Sequence, residues 1–157
     1  MATIKMTRID YRLIHGQVVH KWIKYDPVEV IVVADNQLVE DEFMADIYKM
    51  AAPGCKVEIV SIDDLNKTLD RINKSIMLVF RNVEAVCEAV DKGIALTSLN
   101  VGAVESAPGR KQIIQGVSLS QVEIDKLEAL NDKGINVFSQ PIPENAKMAL
   151  EDMKAKI

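Results

Sequence analysis

The N-terminal part of the chain reads Ile4-Lys-Met-Thr-Arg-Ile-Asp-Tyr-Arg-Leu-Ile-His-Gly-Gln-Val-Val-His-Lys-Trp22. Apolar and polar residues alternate up to Ile9, a pattern that predicts a β-strand. After Gly16 the apolar spacing is helical, and Val18, Val19, Trp22 and Ile23 would share one face. We expect Trp22 to anchor the core. The charged loop between strand and helix lies where open α/β folds usually bind ligands.

Strands and helices alternate along the rest of the chain. Strands are predicted at residues 28–34, 57–60, 75–80, 94–99, 116–119 and 135–138. A helix is predicted at 41–52, and Pro53 and Gly54 would end it. Four more helices are predicted: one after Ser61, one after Asn82, one that starts at the capping box of Ser120, and one from about Glu144. This order predicts a single α/β domain over residues 1–157, with three α/β/α layers and a mainly parallel sheet of about six to seven strands.

The predicted helix at 41–52 has an apolar face of its own. Phe43, Ile47, Met50 and Ala51 recur at helical spacing along it.

Composition limits the possible functions. The 157 residues are 48% hydrophobic and 27% charged, with a formal net charge of -4, which argues against general nucleic-acid binding. No run approaches the roughly 18 apolar residues of a spanning helix, and the start lacks a signal-peptide core. Cys55 and Cys87 lack metal-site spacing. They are expected in the core of a reduced, cytoplasmic protein, so that any membrane role comes through a partner.

His15 ends the charged loop, and its neighbours favour anion chemistry. Arg8 and Arg12 offer planar guanidinium groups that match phosphate oxygens, and a helix starting near Gly16 aims its free amides at the same place. Asp10 could orient a ring nitrogen or pair with an arginine. A histidine placed here can be an acid, a base, a metal ligand or a covalent nucleophile, or it can simply bond the backbone.

Rough energies show that such a site could hold a phosphohistidine without a metal. A phosphoryl group brings nearly two negative charges. One charge-assisted hydrogen bond from an arginine supplies roughly 1.5–3 kcal/mol, and the helix terminus adds about 0.3–1 kcal/mol. Neither a metal nor another cofactor is therefore predicted.

Several known motifs are absent from the sequence. The lack of GxxxxGK[ST] excludes a P-loop kinase, and the lack of GxGxxG and GxSxG argues against dinucleotide binding and α/β-hydrolase chemistry. An Arg-His-Gly pattern with a second, distant histidine is typical of phosphohistidine mutases and phosphatases. Here Ile14 precedes His15, and the other histidine, His20, is only five residues away and is expected at the surface.

Residues 8–18, with Trp22 after them, closely resemble the signature of the IIB subunit of the mannose/fructose/sorbose family of the sugar phosphotransferase system. The resemblance covers the whole chain, including Leu99-Asn-Val-Gly102, Gly109-Arg-Lys and Val117-Ser-Leu. The family pattern often has Asp or Glu where this chain has Tyr11. That difference removes a charge beside Arg12, and we expect it to affect how a partner protein fits at this surface.

The resemblance implies a protein-histidine:sugar phosphotransferase that acts in sugar uptake. His15 would take a phosphoryl group, on Nδ1, from a IIA phosphohistidine and pass it to a sugar in the IIC/IID membrane complex. Arg12 would hold the phosphate, Asp10 would orient the site, and Arg8 would be an adjacent charge. Mannose, fructose, sorbose and amino sugars all fit as substrates, and a homodimer is possible.

Other residues are weaker candidates for the site. Substrate contacts are predicted for Gly16 and Gln17 and for the strand-end residues Asp35, Asn36 and Arg81, and residues 100–102 could line the same crevice. The 106–111 loop could touch the IIA donor. A competing hypothesis is a non-catalytic module that binds a phosphorylated ligand reversibly in the same pocket.

Overall fold

The computed structural model describes residues 1–52 and 54–157. Its strands are β1 Thr3–Asp10, β2 Val30–Ala34, β3 Lys56–Val60, β4 Ser75–Phe80, β5 Ser98–Ala103, β6 Lys111–Ile114, β7 Val117–Leu119, β8 Asn136–Ser139 and β9 Met148–Ala149. Its α-helices are α1 Gly16–Tyr25, α2 Glu42–Met50, α3 Leu65–Arg71, α4 Val83–Asp91, α5 Gln121–Asp132 and α6 Leu150–Lys154. A short 3₁₀ helix, Leu38–Glu40, precedes α2.

A seven-stranded sheet forms the middle layer, in the order β3-β2-β4-β1-β5-β8-β9. The strands are parallel except for β9, which runs antiparallel to β8 at one edge. A separate antiparallel hairpin, β6-β7, joins the end of β5 through a bridge between Val104 and Val117. The predicted mainly parallel sheet of six to seven strands is confirmed.

The strands β2 and β4 are buried on both faces, and their side chains alternate between two cores. Val30, Val32 and Ala34 face the core that holds residues of α3, α4, α5 and α6. Ile31 and Val33 face the core that holds Val19 and Trp22 of α1 and Ala45 of α2. The predicted three-layer α/β/α arrangement is therefore confirmed, with α1 and α2 on one face.

This topology positions the loop after β1. The neighbouring strands β1 and β4 are followed by α1 and α4, which pack on opposite faces of the sheet. The loops after two such strands diverge and leave a crevice at their carboxyl ends. The charged loop at residues 10–15 lies at this edge, at the end of a central strand.

Two predicted elements begin four or more residues away from their expected positions. The strand expected at 94–99 is Ser98–Ala103, because β5 pairs with β1 (Arg8 opposite Asn100) and with β8, and this central pairing outweighs the low strand preference of asparagine and glycine. The helix expected from Glu144 begins only at Leu150, since the preceding residues pair with β8 as the edge strand β9.

Helix α2 turns most of its predicted apolar face away from the core. Phe43, Ile47 and Met50 are exposed, whereas Ala45 is buried in the core. Of the predicted apolar face, Phe43, Ile47 and Met50 point to solvent, whereas Ala51 is half-buried and packs against the core. Pro53, expected to end this helix, lies outside the described residues. No helix in the described ranges has the length and apolar character needed to cross a membrane.

The capping box at the start of α5 is confirmed, and its carboxylate also pairs with an arginine. Ser120 Oγ accepts from the Glu123 N–H at 3.1 Å, and Glu123 Oε1 accepts from the Ser120 N–H at 2.9 Å. Arg110 donates from Nε and Nη2 to the two oxygens of Glu123, at 2.9 and 3.0 Å. Glu123 therefore ties α5 to the loop that leads into β6.

The ionised Glu123 side chain should make part of the free energy of unfolding depend on pH. Burial raises the pKa of Glu123, but hydrogen bonds from Arg110 and Ser120 outweigh it, so the pKa lies below the ordinary 4.5. Its contribution is therefore complete above about pH 4.5 and is lost as pH falls through the depressed pKa. Glu123→Gln should lower the free energy of unfolding by about 1–2 kcal/mol at pH 7.

Urea unfolding between pH 7 and pH 3 measures this effect. The difference between wild type and Glu123→Gln should shrink as pH falls. The exposed carboxylate in the Glu84–Lys126 ion pair provides the control, because Glu84→Gln should leave stability nearly unchanged. A constant difference at every pH for Glu123→Gln would contradict the assignment.

Candidate functional site

Asp10 is the centre of the site at the end of β1. Its carboxylate is buried and accepts from Arg12 Nε and Nη2, each at 3.1 Å, and from Arg8 Nη2 at 3.3 Å. It also accepts from the Arg12 backbone N–H at 2.9 Å. One carboxylate therefore holds two guanidinium groups and the first turn of the loop.

The loop at residues 10–15 is tightly folded. The Leu13 N–H donates to the Asp10 carbonyl at 2.9 Å, and the Tyr11 N–H donates to the Ala103 carbonyl of β5 at 3.1 Å. Leu13 is buried and has φ of 61°, a left-handed conformation that is uncommon for a leucine. Nothing in the sequence signals this conformation, which the buried contacts of Leu13 and Ile14 hold in place.

His15 is the N-cap residue of α1. Its backbone is extended, and no side chain among the described residues caps the helix or brings a carboxylate into its first turn. The His15 Nδ1 atom is buried with no hydrogen-bond partner in the part of the chain that the structure describes. The histidine and the uncapped amino end of α1 thus offer an unengaged nitrogen beside an anion-binding helix terminus.

Arg8 and Arg12 have different surroundings. Arg8 is 3% exposed, whereas the Arg12 side chain is 32% exposed and its guanidinium lies 5.5 Å from the ring centre of Tyr11. Burial lowers the pKa of Arg8 despite the charge of Asp10. Partial burial opposes ionisation of Arg12, but its hydrogen bonds with Asp10 outweigh this and raise its pKa. Arg12 is therefore the accessible cation.

Arg8 packs directly against Gly102 of β5. A Cβ atom built on Gly102 would lie 2.2 Å from Arg8 Cζ, so only glycine leaves room for the guanidinium. Arg8 Nη1 is buried and lacks a hydrogen-bond partner among the described residues. Residues 100–102 are expected in a loop at a strand end, but they lie within β5. Gly102 belongs to the site because it packs against the Arg8 side chain.

The strand-end residues of β2 and β4 form a second cluster. Asp35 accepts from Arg81 Nε and Nη2, at 3.0 and 2.8 Å, and from the Leu38 N–H at 2.9 Å. Asn36 contacts Glu88 and the Ile62 N–H. The hydrogen bond with Asp35 raises the pKa of Arg81 and outweighs the opposing effect of partial burial. The ion pair between Asp35 and Arg81 therefore ties the loop after β2 to the loop after β4.

The remaining candidates lie around the edge of the site. Gly16 and Gln17 are exposed at the start of α1, and His20 is exposed on the same helix, as predicted. Trp22 is buried and donates from Nε1 to the Pro141 carbonyl at 3.1 Å, so its role as a core anchor is confirmed.

The loop at 106–111 flanks a small cavity beside the site. Its Arg110 is held by Glu123 and by the Glu105 carbonyl, to which Nη1 donates at 2.9 Å. The cavity, of about 150 Å³, is lined by Tyr11, Arg81, Asn82, Val104, Glu105 and Arg110. The structure thus brings this loop next to Tyr11.

The cysteines and acidic residues do not form a further site in the described ranges. Cys55 and Cys87 are free and half-buried rather than fully in the core, and burial raises the pKa of both thiols. Within residues 1–52 and 54–157, no group of three or more His, Cys, Asp or Glu side chains could hold a metal ion.

Comparison with known proteins gives this geometry its context. Residues 4–157 match the family described as PTS system sorbose subfamily IIB component. The chain belongs to this family. The fold matches the crystal structure of manxB from Thermoanaerobacter tengcongensis with a TM-score of 0.94, at 40% identity over 99% of this chain and 97% of that one.

Curated relatives agree with the family assignment. The PTS system fructose-specific EIIB component of Bacillus subtilis is 29% identical over 93% of this chain and 92% of its own length. The PTS system mannose-specific EIIAB component of Escherichia coli is 29% identical over 98% of this chain, which spans about half, 49%, of that relative. The predicted resemblance is confirmed, and the chain is a phosphoryl-transfer component of sugar uptake.

The contact between Arg8 and Gly102 predicts a coupled pair. Gly102→Ala should lower the free energy of unfolding by about 1–3 kcal/mol, because the added methyl group collides with the buried guanidinium. In an Arg8→Met background the flexible side chain can yield, and Gly102→Ala should cost about 1 kcal/mol less. Denaturant unfolding of the four proteins gives the coupling energy, and equal costs in both backgrounds would contradict the contact.

Loss of the Asp10 charge should be costly. Asp10→Asn leaves the buried Arg8 without a counter-ion and should lower the free energy of unfolding by about 3 kcal/mol. Asp26→Asn, which breaks the more exposed Lys5–Asp26 pair, is the matched control and should cost less than about 1 kcal/mol. Denaturant unfolding at pH 7 compares the two, and similar losses would show that Asp10 has no special structural role.

Proposed function

We propose that His15 is the phosphoryl acceptor of this IIB component, which takes the group from a IIA phosphohistidine and passes it to a sugar in the IIC/IID membrane complex. The observation that carries the proposal is the position of His15 at the uncapped amino end of α1, with Nδ1 free of hydrogen bonds to the described residues. Relatives named EIIAB combine A and B components in one protein, which supports IIA as the donor.

The first step is an exchange between two histidines. The lone pair of His15 Nδ1 attacks phosphorus, and a new N–P bond forms as the N–P bond to the donor histidine breaks. Because Nδ1 is covered by its surroundings, the ring has to turn toward the donor in this step. In the second step a sugar hydroxyl oxygen attacks phosphorus, the hydroxyl proton is released, and His15 recovers its lone pair.

Arg12, Asp10 and Arg8 share the electrostatic work. Arg12 is partly exposed and oriented by the carboxylate, so it can donate to the phosphoryl oxygens. Asp10 fixes its direction, and the buried Arg8 offsets the charge of Asp10. The backbone amides of Gly16 and Gln17, at the uncapped start of α1, would stabilise the same oxygens.

The roles proposed for other residues stay predictions. We predict that Asp35, Asn36 and Arg81 contact the substrate. Their side chains also hold together the loops after β2, β3 and β4. Association with the membrane from the cytoplasm would come through IIC/IID, and a homodimer remains a prediction.

Intact-mass measurement tests the acceptor. The protein is incubated with phosphoenolpyruvate, the general phosphotransferase proteins and a matching IIA protein, and then measured before and after brief acid treatment. We expect one added phosphoryl group that acid removes. It should be absent in His15→Ala and present in His20→Ala, which removes an exposed histidine of the same helix.

Arg12 variants test the phosphate contact. Arg12→Ala should slow phosphoryl transfer about 100-fold or more, and Arg12→Lys should restore only part of the rate because an ammonium cannot pair with Asp10 and phosphate as a planar fork does. Rapid-quench kinetics with phospho-IIA measures both. An acid-stable adduct, or phosphorylation that persists in His15→Ala, would refute the proposed function.

A further inference from the structure

The outward face of α2 is apolar. Phe43 and Met50 are each 74% exposed, and Ile47 is 40% exposed. At 100° per residue these three side chains fall within an arc of about 60°, opposite the side on which Ala45 packs into the core. We refer to Phe43, Ile47 and Met50 as the α2 stripe. An outward helix face is normally polar, and large exposed apolar patches mark interaction sites.

The α2 stripe borders the phosphoryl-transfer site. The Ala51 carbonyl oxygen, just after Met50, lies 3.3 Å from the place where a Cβ on Gly16 would be, so the end of α2 adjoins the start of α1. From Met50 to Phe43 the stripe extends about 10 Å.

A protein that delivers a phosphoryl group to His15 must cover this region. A standard interface buries about 800 Å² on each partner, which as a disc has a radius of about 16 Å. A disc centred on His15 includes the neighbouring Gly16 and Met50 and extends along the stripe. Phenylalanine and methionine are also enriched in the cores of interfaces.

The charges around the stripe favour one class of partner. The exposed acidic residues Glu40, Asp41, Glu42 and Asp46 lie before α2 and along one side of the stripe, against the single exposed cation Lys49 within Leu38–Met50. Acidic groups are repelled by the negative surface of the cytoplasmic leaflet. This edge therefore suits a water-soluble protein with a basic rim better than a surface pressed against lipid.

We propose that the α2 stripe is the docking surface for the IIA phosphoryl donor, whose matching patch is apolar with a basic rim. The inference rests on the proposed function, because its geometry depends on His15 as the acceptor. The stripe gives affinity and orientation, while His15 and Arg12 carry out the transfer. Its residues therefore affect binding of the donor and not the rate within the bound complex.

Single-turnover phosphoryl transfer tests the surface. Phospho-IIA is titrated against the unphosphorylated protein by rapid quench, for wild type, Phe43→Ser, Met50→Ser and the double variant. We expect the half-saturating IIA concentration to rise about tenfold or more in the double variant, with an unchanged rate at saturation. Val122→Ser is the control, because Val122 is 60% exposed on α5, across the sheet, and should behave as wild type.

Each alternative outcome overturns the assignment in a recognisable way. An unchanged half-saturating concentration, in variants with wild-type circular dichroism and melting, refutes the surface. An unchanged IIA step with reduced sugar phosphorylation in IIC/IID vesicles would assign the stripe to the membrane complex. A wild-type dimer that becomes monomeric in the variants, with IIA binding unchanged, would assign it to a second copy. If wild type itself gains no acid-labile phosphate, the proposed function fails instead.

Discussion

The buried carboxylate of Asp10 is the constraint on which the site depends. It accepts hydrogen bonds from Arg8, from the Arg12 side chain and from the Arg12 backbone, all within 3.3 Å. Burying a charge is expensive unless it is fully paired, so this carboxylate requires both arginines. In return it fixes the turn that carries the chain from the central strand toward His15. The Asp10 carboxylate therefore sets both the conformation of the loop and the positions of the two arginine charges.

Two arginines close together would repel each other, and the structure resolves this by placing them in different environments. Arg8 lies in the interior against Gly102, where a side chain at position 102 would displace it. Arg12 lies at the surface, held by the same carboxylate. The result is a partly exposed cation with little freedom to move, as the proposed phosphoryl transfer needs.

The surface around His15 has two parts with different chemistry. The amino end of α1 and Arg12 suit a phosphoryl group, whereas the adjoining α2 stripe is apolar and suits a protein. The proposed phosphoryl exchange with partner proteins needs both, since a single histidine gives little binding area. The Ala51 carbonyl oxygen, which would lie 3.3 Å from a Cβ on Gly16, brings the two parts together.

Local sequence determined much of this protein. Alternating and continuous apolar runs predicted the parallel sheet and its layers, because a side chain's polarity directly reflects the face that it occupies. The residues from Arg8 to Trp22 predicted the family, and pairing with an arginine was one of the two roles open to Asp10. Only the tertiary structure decided the features that depend on distant neighbours. Pairing with β1 placed Gly102 inside β5 and against Arg8. On α2, the packing of Ala45 into the core turned Phe43 and Met50 outward, although their spacing alone also fits a buried face. Periodicity shows that a helix has an apolar face, but the packing of the other elements decides whether that face meets the core or a partner.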